Sequence, residues 1–246
     1  MTKTIIIIPS RLAATRLKGK PLLEINNKPL ICHVIDKAKK TGIGDVVVAT
    51  EDEKILSVVK KSGNKAILTK KHKTGTDRIY EAYQKMKLEN IEYVLNLQGD
   101  EPMIETKDII NLNNLMVKTK SEIGTLAAKI NDSSMINNEN IVKVLVEKKL
   151  ENNNFVNAKK FFRKDLKKKN FLNIYHHVGV YAYKVSVLKK FIELDQTKNE
   201  IKNRLEQLRA IDNGMKINVA LATNSPIGVD TKQDYIDLKK IMEYKS

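Results

Sequence analysis

Apolar strands alternate with amphipathic helices through the first hundred residues. Four consecutive isoleucines, Ile5–Ile8, predict a strand that is buried on both of its faces. The same patterns predict strands at 45–50, 65–68 and 93–97, and helices at 29–40, 51–62 and 76–86. Strict alternation with short connections is typical of a parallel sheet with right-handed crossovers. The first half is therefore predicted to be a doubly wound α/β unit.

The pattern is less regular after residue 106. Helices are predicted at 107–117, 186–192, 201–211 and 232–244, and strands at 123–130, 141–147, 174–183 and 217–221. The stretch 152–162 is predicted to be either an edge strand or a loop. The polar stretch 148–173, in which Phe155, Phe161 and Phe162 are embedded, is either a protruding, partner-facing element or a solvated excursion. No Pro/Gly/Ser-rich linker divides the chain, which favours a single domain over residues 1–246.

Composition narrows the class of protein. The 246 residues carry a net charge of +16 and contain no tryptophan. The lysines are spread over the whole chain, which favours a compositional bias over a nucleic-acid-binding face. The apolar runs are too short to cross a bilayer, and no signal peptide is expected. Cys32 is the only cysteine, so we expect a reducing compartment, the cytoplasm, and no catalytic thiol.

A basic segment follows the first strand. Residues 9–22 have no apolar period and predict a loop. Open α/β sheets bind ligands at the carboxyl ends of their strands, which is where this loop begins. Arg11, Arg16 and Lys20 are suited to phosphate oxygens, and Gly19 allows close approach of the backbone. A solvated, lysine-rich loop is the alternative.

Two aspartates are candidate metal ligands. Asp100 follows a central strand, near the basic loop, and Mg²⁺ in phosphate sites takes few protein carboxylates. An ordinary Gly-Asp turn explains Asp100 equally well. Asp230 precedes the last helix, where a capping role is the simpler interpretation.

Two further segments have polar side chains in suggestive positions. In His72–Arg78, Thr76 or Asp77 is predicted to cap a helix whose first N–H groups can also hold an anion. His176 and His177 are adjacent on a strand and point to opposite faces, so they are poor joint metal ligands. His177, Tyr181 and Tyr183 share one face of that strand.

Taken together, six segments resemble the cytidylyltransferases that activate acidic sugars, above all the 3-deoxy-manno-octulosonate (Kdo) cytidylyltransferase family. The family patterns are I-P-A-R-x-x-S-T-R-L-P-G-K-P-L, H-x-S-G-T-D-R, V-N-x-Q-G-D-E-P, R-H-I-G-I-Y-A-Y, L-E-Q-L-R and G-I-D-T-x-x-D-L. Here they correspond to residues 8–22, 72–78, 95–102, 176–183, 205–209 and 228–235. The departures include Ser10 for Ala, Ala14 for Ser, Lys18 for Pro and His176 for Arg.

The resemblance implies roles for individual residues. The implied nucleotide-binding residues are Arg11, Thr15, Arg16, Lys20, Gly75, Thr76, Asp77, Arg78 and Gln98. The implied magnesium ligands are Asp100 and Asp230, which with Lys20 form the implied catalytic set. The implied sugar-binding residues are Gln98, Arg163, His177, Tyr181, Glu206 and Gln207; only Ala158, Phe161 and Arg163 match the family around Arg163.

The resemblance also implies the fold and the reaction. The expected fold is a Rossmann-like nucleotidyltransferase: a doubly wound, mostly parallel α/β sheet with a smaller strand-rich dimerisation element at about 148–183. The expected reaction transfers CMP from CTP to Kdo for lipopolysaccharide synthesis, with Mg²⁺, in a cytoplasmic homodimer without nucleic acid or membrane insertion. The alternatives are a CMP-acylneuraminate synthetase, a nucleoside-diphosphate-sugar pyrophosphorylase, whose G-x-G-T-R opening is absent, and a basic nucleic-acid-binding protein.

Overall fold

The computed structural model describes residues 3–13, 17–132, 134–164, 172–226, 228–229 and 231–244. Contacts within the chain define two compact units, one formed by residues 1–106 with 226–246 and the other by residues 107–225. The sequence predicts a single domain because it has no linker. The division into two compact units does not test that prediction. No helix within the described ranges is both long and apolar enough to span a membrane.

The first unit is built on a parallel sheet. The strands of this unit are β1 (Lys3–Ser10), β2 (Glu24–Ile25), β3 (Lys28–Pro29), β4 (Val46–Thr50), β5 (Lys65–Leu68) and β6 (Ile91–Asn96), of which β2 and β3 form a separate hairpin. Its first three helices are α1 (Leu30–Lys39), α2 (Glu53–Lys61) and α3 (Gly75–Met86). The sheet order is β5-β4-β1-β6, and every neighbouring pair is parallel. These pairings confirm the strand–helix alternation predicted for the first half.

The central position of β1 determines where its loop leaves the sheet. Ile5–Ile8 are fully buried, as a strand covered on both faces requires. Because β1 and β6 are parallel neighbours, the segments that follow them start at the same edge of the sheet. The basic loop after Ser10 and the segment Gln98–Asp100 therefore lie side by side.

A small hairpin after the basic loop was not foreseen from the sequence. One turn of 3-10 helix, Lys20–Leu22, starts at Gly19, whose φ of 71° favours glycine. The antiparallel pair β2–β3 then turns through Asn26 and Asn27, both with positive φ, as a tight hairpin turn requires.

This hairpin anchors the last part of the chain. Ile25 and Leu30 share a buried apolar cluster with Val229 and Leu238. The hydroxyl of Tyr235 donates a 2.6 Å hydrogen bond to the carbonyl of Glu24. The segment before the closing helix is thereby fixed within the first unit.

The second unit has a mixed sheet. Its helices are α4 (Thr106–Thr119), which begins at the unit boundary, α5 (Ser134–Asn137), α6 (Val185–Glu193), α7 (Lys198–Asn203) and α8 (Leu208–Asp212). Its strands are β7 (Ile123–Ala128), β8 (Lys143–Val146), β9 (Val156–Phe162), β10 (Ile174–Lys184) and β11 (Ile217–Leu221). Their order is β10-β7-β11-β9-β8, and β8 also pairs with β10. The closing helix of the first unit is α9 (Lys232–Tyr244).

Two predictions in the second half need correction. The stretch 152–162 contains the strand β9, in which Phe161 and Phe162 are buried, so the strand alternative is right and the loop and the solvated excursion are wrong for this part. The strand pairs with both β8 and β11 and is therefore not an edge strand. The helix predicted at 201–211 is interrupted at Arg204, which has a positive φ of 53°. The backbone N–H of Leu205 donates to the carbonyl of Glu200, which ends α7 before α8 begins.

Candidate functional site

A polar cleft of about 300 Å³ lies at the carboxyl edge of the parallel sheet. Three separate parts of the first unit line the cleft: the end of β1 with its loop, the start of α3, and the segment after β6. Each part belongs to a motif that the sequence analysis singled out. The fold therefore brings together, within one unit, residues up to 91 positions apart in the chain, from Pro9 to Asp100.

Lys20 connects two of the predicted motifs. Its ammonium donates to Asp100 Oδ2 at 2.6 Å and to the carbonyl of Val229 at 2.5 Å. The N–H of Val229 donates to the carbonyl of Asp100 at 3.1 Å. The Lys20 side chain is 12% exposed and that of Asp100 32%, so the ion pair lies at the cleft wall. The residue next to Asp230 is therefore bonded directly to Asp100.

A close backbone approach requires glycine beside this ion pair. A Cβ atom at Gly99 would lie 3.2 Å from the carbonyl oxygen of Pro9 and 3.2 Å from Ile31 Cδ1. Such contacts are tighter than ordinary van der Waals distances, so any larger residue would push the β1 and β6 ends apart.

Arg78 supports the end of β1 from the other side of the cleft. Its Nη1 donates to the carbonyl of Ser10 at 2.7 Å, and its Nη2 bonds to Glu51. Burial lowers the pKa of Arg78, Glu51 opposes this shift, and the nearby Arg11 adds to it. The arginine is thus a buried cation, held against the end of β1 by its ion pair with Glu51 and its bond to the Ser10 carbonyl.

The cleft carries more positive than negative charge. Among the described residues that line it, the charged ones are Arg11, Lys20, Lys73, Arg78 and Asp100. Lys20 pairs with Asp100 and Arg78 with Glu51, whereas no salt bridge joins Arg11 or Lys73 to a described carboxylate. Two uncompensated cations beside several hydrogen-bond donors suit a polyanion such as a triphosphate.

The predicted nucleotide-binding residues and metal ligands divide into three groups. Those that line the cleft are Arg11, Lys20, Gly75, Arg78, Gln98 and Asp100. Thr76 is buried and Asp77 bonds to Thr74, and neither lines the cleft. Thr15, Arg16 and Asp230 lie outside the described residues. Sequence analysis missed Pro9, Ser10, Pro21, His72, Lys73, Thr74 and Gly99 as lining residues, although all seven stand within or beside the quoted motifs.

Thr74, rather than Thr76 or Asp77, caps α3. Its hydroxyl oxygen accepts a hydrogen bond from the N–H of Asp77, three residues later, and donates one to the Asp77 carboxylate. These two bonds make Thr74 the N-cap, so the helix begins at Gly75. Gly75 lines the cleft. The prediction of a cap at Thr76 or Asp77 is therefore wrong by two or three residues.

One described carboxylate, Asp100, is available for a metal in the cleft. Within residues 3–13, 17–132, 134–164, 172–226, 228–229 and 231–244, no three His, Cys, Asp or Glu side chains are close enough to hold a metal ion. The predicted second ligand, Asp230, is outside these ranges.

The second unit contains a buried polar cluster around β10. His177 Nε2 lies 3.1 Å from the Thr125 hydroxyl, which donates to the carbonyl of Val180 at 2.7 Å. The ring centroids of His177 and Tyr181 are 5.4 Å apart, and those of Tyr181 and Tyr183 are 5.7 Å apart. The prediction that these three residues share one face is confirmed. His176 points away and bonds to the Ser225 hydroxyl at 2.8 Å.

Burial controls the charge state of this cluster. Burial, with a smaller effect of His176, lowers the pKa of His177 to about 3, so the imidazole is neutral at pH 7. Burial, then Tyr183 and Glu206, raises the pKa of Tyr181 well above its usual value. The cluster therefore presents neutral hydrogen-bonding groups beside the carboxylate of Glu206.

Gln207 adds an unsatisfied donor to the same unit. Its side chain is buried, and its Nε2 has no hydrogen-bond partner among the described residues. Buried amide N–H groups without partners are uncommon and indicate a ligand or an ordered water. Glu206 and Gln207 lie in the break between α7 and α8, so the interruption of the predicted helix is what places them.

Arg163 occupies a different environment in the second unit. Its guanidinium donates to the carbonyls of Glu139, Asn140 and Asn203 at 3.2–3.3 Å. Lys143, which is fully buried, donates to the carbonyls of Asn138 and Ile141. Four consecutive carbonyl groups thus bind two cations.

A comparison with protein families matches residues 5–217 to the cytidylyltransferase model. The chain is 42% identical over 243 residues to the 3-deoxy-manno-octulosonate cytidylyltransferase of Thermodesulfovibrio yellowstonii, covering 94% of each chain. It is 38% identical over 240 residues to the Bartonella henselae protein of the same name, covering 97% of this chain and 98% of that one.

A comparison with solved structures also finds cytidylyltransferases. The fold matches a CMP:2-keto-3-deoxy-manno-octonic acid synthetase complexed with CTP, with a TM-score of 0.90, 33% identity and full coverage of both chains. A cytidylyltransferase from Leptospira borgpetersenii matches with a TM-score of 0.64 and 19% identity, over 99% of this chain and 88% of that one. The second match concerns the fold alone.

Proposed function

The chain belongs to the cytidylyltransferase family, and we propose that it transfers CMP from CTP to 3-deoxy-D-manno-octulosonate (Kdo) and releases pyrophosphate. It is a nucleotidyltransferase whose relatives at 38–42% identity are named for this reaction. The product, CMP-Kdo, supplies an activated acidic sugar for lipopolysaccharide biosynthesis.

The observation that carries the proposal is the positive charge of the cleft in the first unit. Arg11, Lys20 and Lys73 line one concave surface with Arg78, against a single lining carboxylate among the described residues. Charge neutralisation and positioning are the main requirements of nucleotidyl transfer, and cations in a partly enclosed cleft provide both. We assign the triphosphate of CTP to this cleft, with Arg16 and Thr15 as further contacts from the same loop.

We assign Mg²⁺ to Asp100 and Asp230. The fit rests on Asp100, a partly exposed carboxylate at the wall of a phosphate-sized cleft, and on its bond to Val229, which precedes Asp230. An oxygen ligand set that leaves room for water and phosphate is what Mg²⁺ prefers. When bound, the ion supplies charge neutralisation at the phosphate and makes the attacking hydroxyl more acidic.

We assign Kdo to the polar cluster of the second unit. A sugar acid needs many neutral hydrogen-bond partners, and the buried imidazole of His177, the phenol of Tyr181 and the unsatisfied amide of Gln207 provide them. Glu206 completes the proposed set of hydroxyl contacts in this unit. Arg163 is the proposed carboxylate contact.

The reaction needs one bond to form and one to break. The anomeric hydroxyl oxygen of Kdo bonds to the α-phosphorus of CTP, the bond from that phosphorus to the bridging oxygen of the β-phosphate breaks, and the hydroxyl proton passes to water. Lys20 and Arg11 are placed to neutralise the charge on the departing pyrophosphate. His177 is a poor acceptor for the proton, because a conjugate acid with a pKa of about 3 marks a weak base.

We further propose a homodimer, a cytoplasmic location and the finer fold assignment, a Rossmann-like nucleotidyltransferase with a dimerisation element at about 148–183. The proposed interface rests on the resemblance of the sequence to the family. The buried free thiol of Cys32 fits a reducing compartment. Light scattering coupled to gel filtration tests the dimer, and a monomeric mass at micromolar concentration would refute it.

The proposed reaction is tested by pyrophosphate release from CTP and Mg²⁺, with Kdo and N-acetylneuraminate offered in parallel. We expect release with Kdo alone. Release with N-acetylneuraminate alone would keep the nucleotide chemistry and reassign the sugar. If a folded protein releases no pyrophosphate with either sugar and binds any nucleic-acid duplex in a salt-dependent way, the nucleic-acid-binding alternative is favoured.

A further inference from the structure

The segment Thr69–Thr74 connects β5 to α3, and its last three residues, His72–Thr74, form one wall of the cleft. It carries three lysines, Lys70, Lys71 and Lys73, all exposed. Of these, Lys73 lines the cleft, together with His72, and Lys71 does not. Lys71 and Lys73 are therefore both exposed and two residues apart, but only Lys73 lines the cleft.

Glu81, on the second turn of α3, holds this wall in place. Its two carboxylate oxygens accept from the backbone N–H of Lys70 at 3.2 and 3.0 Å, and its Oε2 contacts His72 Nε2. Lys85 Nζ lies 2.8 Å from its Oε1. One carboxylate thus fixes the backbone at residue 70 and the ring at residue 72, on the amino-terminal side of Lys73.

The anchor carries a negative charge throughout the neutral range. Burial of Glu81 opposes its ionisation, but the bonds from Lys85, His72 and the Lys70 N–H outweigh burial and lower the pKa to about 2. Its own side chain is 15% exposed. Glu81 therefore holds the segment by charge-assisted hydrogen bonds, which are stronger than neutral ones.

Lys73 is a cation without a structural counter-ion. No salt bridge or hydrogen bond joins its ammonium to any described residue, whereas the other lysine of the cleft, Lys20, is bonded to Asp100 and Val229. A lysine whose only role is to be solvated at the surface does not require its backbone to be fixed by a carboxylate such as that of Glu81. An anchored segment that directs an unpaired ammonium into a cationic cleft is an arrangement suited to binding an anion.

We propose that Lys73 is a further phosphate-binding residue of the cleft and that Glu81 is its positioning residue. The proposal rests on the assignment of the triphosphate to this cleft and extends it to a residue that the family pattern leaves variable. Lys73 binds the triphosphate of CTP and the pyrophosphate product through its ammonium.

The test compares Lys73→Gln with Lys71→Gln, which removes the same charge two residues away and outside the cleft. We expect Lys73→Gln to raise the KM for CTP about three- to tenfold and to leave the KM for Kdo unchanged. Lys71→Gln should change neither value by more than about twofold. Lys73→Arg should retain most of the affinity, because the charge remains. Equal KM values for the two glutamine variants would overturn the assignment of Lys73.

The positioning role of Glu81 is tested by a double-mutant cycle. Glu81→Gln should raise the KM for CTP with little change in kcat, and Glu81→Gln with Lys73→Gln should be no worse than about twice Lys73→Gln alone. A purely structural role would instead give multiplicative effects and would overturn the positioning role. Thermal melting of each variant establishes that the protein is folded.

Binding of inorganic tripolyphosphate, measured by calorimetry, separates this inference from the proposed reaction. If no sugar supports pyrophosphate release, the proposed reaction fails. Weaker tripolyphosphate binding by Lys73→Gln than by Lys71→Gln would still support a phosphate contact at Lys73. Equal binding by both variants would overturn it.

Discussion

Asp100 illustrates how one carboxylate can serve both structure and the proposed chemistry. Its side chain accepts from Lys20 and its backbone carbonyl accepts from Val229. We predict that Asp100→Asn lowers kcat by about 100-fold or more, since it removes the charge proposed to hold Mg²⁺. The melting temperature should change little, because a partly exposed ion pair contributes about 1 kcal/mol or less. Steady-state kinetics and thermal melting measure the two effects.

Asp45→Asn is the matched control. Asp45 also pairs with a lysine, Lys65 at 2.9 Å, and belongs to the same unit, but it does not line the cleft. Its activity should equal that of the unchanged chain. Near-normal turnover of Asp100→Asn, or an equal loss in both variants, would contradict the metal assignment.

At the scale of the residue, sequence reasoning predicts residue types at an edge but not their partners. The basic loop and Asp100 could be placed at the same edge of the sheet, because alternation predicts parallel strands whose carboxyl ends share one edge. The bond from Lys20 to the carbonyl of Val229 could not, since the two are 209 positions apart. The cap at Thr74 was missed because threonine or aspartate at 74, 76 and 77 fit the pattern equally well.

The two short helices α7 and α8 are held together by a buried ion pair. Arg209 donates to both oxygens of Glu200, at 2.9 and 2.7 Å, and its guanidinium lies 4.8 Å from the centre of the Phe191 ring. The two side chains are 3% and 4% exposed. We predict that Arg209→Met lowers the free energy of unfolding by about 3–5 kcal/mol, because it leaves the Glu200 charge buried and unpaired. Urea denaturation measures this loss.

Two further variants make the interpretation specific. Glu200→Leu combined with Arg209→Met removes both charges and should be less destabilised than Arg209→Met alone. Lys65→Met breaks an exposed pair and should cost about 1 kcal/mol or less. A double variant that is less stable than Arg209→Met would mean that packing, not the unpaired charge, determines the loss.

At the scale of the element, the apolar period predicted the long strands and helices but not where they are interrupted. Ile201, Leu205 and Leu208 follow helical spacing, so the break at Arg204 has no signal in the pattern. The Glu200–Arg209 pair spans that break and is a tertiary interaction. The hairpin at Asn26–Asn27 did have a local signal, an Asn-Asn pair suited to positive φ, but its strands are only two residues each.

At the scale of the whole molecule, the charge of +16 did not by itself identify a function. Exposed lysines occur in both units, on segments as far apart as Lys60–Lys61 and Lys159–Lys160. The cations that indicate a function are the few that line the cleft. They lie close together because of the strand order and not because of the total charge. The resemblance of six motifs in order identified the family, because it tests many positions at once.

Buried histidines predict how stability changes with pH. Burial, then His176, lowers the pKa of His177 to about 3, and burial, then Lys143, lowers the pKa of His176. In the unfolded chain both histidines titrate near pH 6.5. Between about pH 6.5 and 3 the unfolded state therefore binds more protons than the folded state, and the free energy of unfolding falls as the pH falls.

We predict that His177 alone lowers the free energy of unfolding by about 2 kcal/mol between pH 6.5 and 5. Glu81 does not affect this interval. Its pKa is about 2 in the folded protein and near 4.5 in the unfolded chain, so it lowers the free energy of unfolding only below about pH 4.5. Urea denaturation at intervals of half a pH unit measures the slope, and His177→Asn should reduce it whatever its effect on stability at pH 7. A slope unchanged in His177→Asn would mean that the imidazole is protonated in the folded protein, and the neutral, weakly basic role proposed for His177 beside the sugar would then be wrong.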